Sequence, residues 1–261
     1  MPTCQVHLGT LLKRLKQVPR DAQRIIETAI DTDAKGFLKD IVAITPPSMG
    51  KANKESQRRG ENAVLSDVWL VYATPAKLYP LIKAYGSPDI ARQYWHLLKN
   101  KPQLIPQWLD LSAPDAVRQL QSGWDGGLEH QKRRGRNGRV KGNKPTVRIT
   151  EAEIPKVLAY IKVQQSHVGL LAAGFKPAAD ALKVSLPAWI RRHGKTLGSI
   201  RIHRAIGSYG ITITNSAKHG RANDLQRRIQ FVLQSDKRKK RLAHRIRAEI
   251  RVALRKNKLT P

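Results

Sequence analysis

Ala22, Ile25, Ile26, Ala29, Ile30, Ala34, Phe37, Leu38, Ile41 and Val42 recur at three- and four-residue spacing. That period puts all ten on one face of a single long helix. The stripe is bounded at both ends. Pro19, followed by Arg20 and Asp21, suits a first helical turn. Pro46-Pro47 forces a stop, because proline clashes with the preceding turn and biases Thr45 away from helical backbone. The spacing predicts a helix over 20–43, with a shorter one over 8–17 built on Leu8, Leu11, Leu12 and Leu15. A helix with so continuous an apolar face has to bury it against other elements, so the chain folds.

Later segments have other textures. Residues 46–145 open with a polar, Gly- and Pro-marked stretch and continue with aromatics (Trp69, Tyr72, Tyr79, Tyr85, Tyr94, Trp95, Trp108, Trp124) among closely spaced prolines, so elements there are short. The segment 131–144, QKRRGRNGRVKGNK, packs seven basic residues and three glycines around Val140 as its sole large apolar side chain. That composition predicts a segment that buries no core and is flexible when unbound. Thr146–Ile149 reads as a short strand, and Thr150 with Glu153 three residues later is a capping-box pattern that opens a helix. In 198–220, Ile200/Ile202 and Ile211/Ile213 alternate with polar neighbours around GSYG, which predicts a β-hairpin with the four isoleucines on one side, packed on the helix near Ile30 and Phe37. Asp224–Lys256 has the period of one long helix. The fold expected is α+β: long helices packed on a small antiparallel sheet, with a core of 1–47 and 146–261 that ends in a basic C-terminal helix, and an inserted helical subdomain at 48–145.

Charge narrows the choice of partner. Forty-nine Lys and Arg stand against 19 Asp and Glu among 261 residues; residues 131–261 hold 32 of the basic and only 6 of the acidic side chains. A surface with such a field repels its own copies unless something negative lies nearby: nucleic-acid phosphates, an acidic protein or an anionic membrane. The densest cations are Lys132, Arg133, Arg134, Arg136, Arg139 and Lys141 in the glycine-rich segment, and Lys237, Arg238, Lys239, Lys240, Arg241, Arg245 and Arg251 on the last helix. Both sets suit sequence-independent neutralisation of phosphates, and both also suit an acidic protein surface. Cys4 is the one cysteine, which excludes an intrachain disulfide framework and a cysteine-based zinc site. No apolar run approaches a membrane span or a signal-peptide core. No paired carboxylates, His-x-x-x-His or phosphate-binding loop points to an enzyme or a cofactor. His193 is the best isolated candidate for chemistry, and it reads more simply as a structural histidine at a helix end. Asp40 and Asp67 have no evident partner.

The stretch VHLGTLLKRLKQVPRDAQRIIETAIDTDAKGFLKDIVAITPP, followed downstream by IRRHGKTLGSIRIHRAIGSYGITITNS, resembles bacteriophage neck and tail-completion (head–tail joining) structural proteins. In that family a short strand and a leader helix precede a long helix with a proline-containing exit, and a hairpin packs on that helix. HVGLLAAGFKPAADAL and PAWIRRHG are similar to a stretch in other phage structural proteins. The resemblance covers residues 5–47 and 150–220. It departs in about 100 extra residues between the two blocks and in the long basic helix at the end. It implies a non-enzymatic virion protein without cofactor, assembled as copies in a homo-oligomeric ring at the neck or tail end. Portal, connector or tail proteins would be its neighbours, with double-stranded DNA contacted without sequence preference and no membrane. The aromatic, nearly charge-balanced residues 60–130 would supply subunit contacts. The alternative is a general RNA- or DNA-binding protein, such as a ribosome-associated factor, which accounts for the charge equally well and for the basic glycine-rich segment better.

Overall fold

The computed structural model describes residues 3–5, 20–48, 50–135, 138–194, 197–205, 208–217 and 222–256. Along the chain run β1 (Thr3–Gln5), α1 (Arg20–Ile44), α2 (Lys54–Val71), β2 (Tyr72–Ala73), α3 (Pro75–Tyr85), α4 (Pro88–Asn100), α5 (Ile105–Leu111), α6 (Asp115–Arg118), β3 (Gln121–Ser122), α7 (Leu128–Arg133), β4 (Val147–Arg148) and α8 (Ile154–Ser166). Then come three short helices, α9 (Leu170–Ala173), α10 (Lys176–Ala181) and α11 (Ala188–Arg191), the strands β5 (Gly198–Ala205) and β6 (Ser208–Asn215), and the helices α12 (Ala222–Gln234) and α13 (Asp236–Lys256). The fold is α+β. One sheet is antiparallel, in the order β1-β6-β5, and a small second sheet is parallel, in the order β2-β4-β3. The leader helix expected at 8–17 lies outside the described residues.

The chain divides into two compact units, 1–59 with 168–261, and 60–167. The sequence-based limits of the insertion, 48 and 145, are therefore displaced at both ends. The physical reason is apolar pairing. Val147 and Ile149 around β4, and Val157 and Ile161 of α8, bury themselves against Val68, Val71 and Tyr72, which draws β4 and α8 into the second unit.

In the first unit α1 buries Ile26, Ala29, Ile30, Phe37, Leu38, Ile41 and Val42, as its period predicts. It stops where Thr45 folds back, its amide and its hydroxyl both donating to the Ile41 carbonyl at 3.0 and 2.7 Å, just ahead of the Pro46-Pro47 pair. α12, α13 and β6 pack on α1, and Tyr209 of β6 donates a hydrogen bond to Asp31 of α1. The long helix expected over 224–256 is two helices, interrupted at Ser235, whose hydroxyl turns back to the Val232 carbonyl.

The hairpin forms with Ile200 opposite Ile213 and Ile202 opposite Ile211. Its first strand reaches Ala205 and pairs with Ser208, so Ser208, Tyr209 and Gly210 lie in β6 and not in the expected turn. Burial is also one-sided: Ile211 and Ile213 are buried, whereas Ile202 is 41 % exposed. The strand order explains this, because β6 is central and β5 is an edge with one strand neighbour. A close backbone crossing anchors the hairpin. A Cβ on Gly198 would sit 2.0 Å from the Gly174 carbonyl oxygen, and one on Gly174 would sit 1.8 Å from Asn215 Oδ1. Only glycine permits that approach. Buried Asn215 seals it, donating through Nδ2 to the Leu171 carbonyl at 2.8 Å and accepting from the Ala217 amide at 3.0 Å.

The second unit has two apolar clusters. Leu78, Ile82, Tyr94, Ile105, Leu109 and Val117 gather α3 to α6, and Tyr94 donates to the Pro75 carbonyl at 2.8 Å. The other cluster lines the parallel sheet and α8. The capping box is present at Thr150 and Glu153, where the Thr150 amide donates to the Glu153 carboxylate at 2.8 Å. Many of the aromatics turn inward: Tyr72 and Tyr94 are fully buried and stack against Trp124 and Trp108. Tyr85 and Trp95 stay exposed.

Candidate nucleic-acid interface

Charge is divided unequally between the units. The first carries 33 basic and 10 acidic side chains, the second 16 and 9. α13 concentrates much of the excess. Ile246 is buried, with Leu242 and Ile250 half-buried beside it at helical spacing, on the helix that packs with α1. Arg245 and Glu249 flank this seam, also half-buried. The outward side presents Lys240, His244, Arg247 and Arg251 in one exposed row at i, i+4, i+7 and i+11, with exposed Arg241 beside it. At 1.5 Å per residue the row spans about 16 Å. The backbone places Lys237, Arg238 and Lys239 in the first turn of α13 after Asp236; their side chains lie outside the described set. α12 adds exposed Arg227 and Arg228; Arg228 also donates to the Ile44 carbonyl at the end of α1, at 3.4 Å.

The basic glycine-rich segment behaves differently. Its described residues, 131–135 and 138–144, are joined by backbone hydrogen bonds and reach the core, which corrects the expectation from composition that the segment buries none. The Gly135 amide donates to the Arg139 carbonyl at 2.8 Å and the Lys141 amide to the Arg133 carbonyl at 2.9 Å, and Val140 packs against the sheet cluster. Arg133 donates to the carbonyls of Lys144 and Lys141 at 2.9 and 2.7 Å and to the Thr146 hydroxyl at 3.3 Å. Arg134 donates to the Gly138 carbonyl. Arg139 pairs with Asp67 at 3.3 Å, the partner the sequence did not supply for that acid. Lys144 donates to the Tyr85 hydroxyl at 2.8 Å. Lys132 and Lys141 are exposed, and Arg136 lies outside the described residues.

The thirteen basic residues singled out by sequence thus fall into two sets, one in each unit. On α13 the structure puts Lys240, Arg241 and Arg251 on the open face and shifts Arg245 to the seam. Arg247 and His244, passed over in the sequence, complete the row; the helical period of Leu242, Ile246 and Ile250 was the available signal. His193 is held structurally, with Nε2 3.0 Å from the Val168 carbonyl. No family model, curated protein or solved structure matches the chain.

A second polar cluster, in the second unit, escaped sequence reasoning because its members lie far apart in the chain. Tyr72 donates to Asp125 Oδ1 at 2.6 Å, and the Gly127 and Glu129 amides donate to the same carboxylate at 2.9 and 2.7 Å. His130 Nδ1 and the Tyr160 hydroxyl share a hydrogen bond at 2.9 Å. His130 is 3 % exposed, and its Nε2 is buried with no partner. Burial pushes the imidazole down to about 4, with Arg134 adding to the effect and Asp125 opposing it. Burial and the adjacent Asp125 push the Tyr72 hydroxyl up. Burial acts to raise the Asp125 carboxyl, but the Tyr72 hydroxyl and the two amides outweigh it and hold the group below its ordinary value. These bonds fasten the turn at 123–130 to the sheet and α8. Among the described residues no group of three His, Cys, Asp or Glu is placed to hold a metal ion, and no helix is long and apolar enough to cross a membrane.

Proposed function

We propose that this chain is a non-enzymatic virion structural protein of a tailed bacteriophage, at the neck or tail end. It works as copies in a ring beside portal, connector or tail proteins, with the outer face of α12 and α13 against double-stranded DNA. The observation that carries the DNA contact is the row Lys240, His244, Arg247 and Arg251. It is exposed while the opposite side of α13 is spent on the core, so Lys240, Arg247 and Arg251 can meet a polyanion without unfolding anything. Cations in a row on a straight helix neutralise phosphates and release counterions irrespective of base sequence. The station in the virion rests on the resemblance of 5–47 and 150–220 to neck and tail-completion proteins. The alternative of a general RNA- or DNA-binding protein accounts for the charge equally well and for the basic 131–144 segment better. With Arg133, Arg134 and Arg139 bonded within the unit, that advantage shrinks.

The test pairs assembly with binding. Lys240→Glu, Arg247→Glu and Arg251→Glu together are expected to leave the fold intact, since exposed charges contribute little to stability, and to block incorporation into particles. They should also flatten the salt dependence of DNA affinity by roughly 3 in log–log slope. Wild-type protein absent from purified virions would refute the station. An unchanged salt slope would refute the DNA contact.

A further inference from the structure

The carboxyl ends of the three parallel strands in the second unit open onto one crevice of about 320 Å³. That volume falls at the lower end of the range for small-ligand sites, and the strand ends of a parallel sheet are where such sites form. Pro75 follows β2, Ser122 closes β3, Arg148 closes β4, and Ile105 and Leu109 of α5 line the crevice as well. Its one cation is Arg148. The side chain of Arg148 is 11 % exposed, and its Nε is buried without a partner. Its Nη2 donates to Asp110, a carboxylate at the end of α5 that is itself 62 % exposed. A largely desolvated guanidinium is therefore held by a partner that reaches it from the solvent side, and its donor capacity is not filled. A desolvated cation favours a carboxylate that satisfies it more completely.

We infer that this crevice binds compact apolar monocarboxylates. The ligand's carboxylate takes Arg148 from Asp110, and its apolar body lies against Pro75, Ile105 and Leu109. Asp110 and Glu151, both on the lining, set the specificity. Once displaced, Asp110 remains close by with Glu151, and two carboxylates repel a ligand carrying a second negative charge. The same chemistry is offered by a free aliphatic or aromatic acid and by an apolar residue at a peptide's carboxyl terminus. This site is independent of the basic row on α13 and stands or falls without it.

The experiment titrates the full chain with phenylacetate, phenylacetamide, phenylsuccinate and a pentapeptide ending in leucine, as free acid and as amide. Binding is followed by saturation-transfer NMR and by amide shifts near Ile149. Phenylacetate is expected to bind and to shift those amides, with phenylacetamide and phenylsuccinate at least tenfold weaker. Asp110→Asn removes the competing acid and should tighten phenylacetate about two- to fivefold, as expected for loss of an exposed ion pair; Arg148→Met should abolish binding. The opposite signs of these two variants separate a receptor from a structural ion pair. Asp110→Asn alone decides the matter if Arg148→Met does not fold. A free-acid peptide that binds more tightly than phenylacetate identifies a chain terminus as the ligand; the reverse order identifies a small acid. Equal binding of acid and amide, no shift near Ile149, or an affinity unmoved by Asp110→Asn would overturn the inference.

Discussion

Acidification to pH 5 should weaken the second unit through His130. In the folded unit burial holds this imidazole at about 4, whereas an unfolded chain returns it to about 6.5. The folded value is depressed, so the stabilising contribution is complete above pH 6.5 and is lost as pH falls towards 4. Linkage between those two values gives a loss of about 2 kcal/mol at pH 5 relative to pH 7.5. Asp125 and Glu153 are also depressed, Glu153 by the Thr150 and Trp124 amides against the opposing effect of burial. Carboxylates titrate lower, so their contribution is lost below about pH 4 and does not blur the His130 window. Urea unfolding followed by tryptophan fluorescence reads the right unit, because four of the five tryptophans (Trp69, Trp95, Trp108 and Trp124) lie in it. His130→Gln removes the titration and keeps a polar group beside Tyr160. The wild type should lose about 2 kcal/mol more than this variant between pH 7.5 and 5. Parallel losses in the two proteins, or an NMR titration of His130 centred above pH 6, would refute the reasoning.

Three further outcomes follow from the packing. Gly174→Ala drives a methyl to 1.8 Å from Asn215 Oδ1, so the first unit should lose about 2–4 kcal/mol, read as a lower thermal midpoint. Ile211→Asp should cost several kcal/mol, because it buries an unpaired charge, whereas Ile202→Asp on the exposed edge strand should cost less than about 1 kcal/mol; equal melting points would mean the strand order is wrong. Arg133→Met leaves the carbonyls of Lys141 and Lys144 without their guanidinium donor, so amide exchange across 133–146 should speed up by at least tenfold while exchange in α8 is unchanged.

Local chemistry was legible in the chain before any packing was considered. The stripe from Ile26 to Val42 specifies α1 because a period of 3.6 has one solution, and Pro46-Pro47 stops it whatever lies around. Thr150 with Glu153 specifies a helix start for the same reason, since both bonds are made within four residues. Alternation around Ile200 and Ile213 specifies a hairpin, though not which strand is central. Strand β4 was legible at Thr146–Ile149, but β2 and β3, two residues each, are too short for any period to mark, and the parallel sheet exists because Tyr72 and Gln121 arrive beside Val147 from distant segments. The fate of each cation was settled at the same level. Arg139 and Arg251 read alike in a basic run, but Asp67 arrives beside the first, and the second sits on the outward side of a helix whose inner side packs on α1. Composition counts charge, and only the fold determines which charges are already paired; the same holds for Arg148 and His130, whose unusual states come from water excluded by residues remote in sequence.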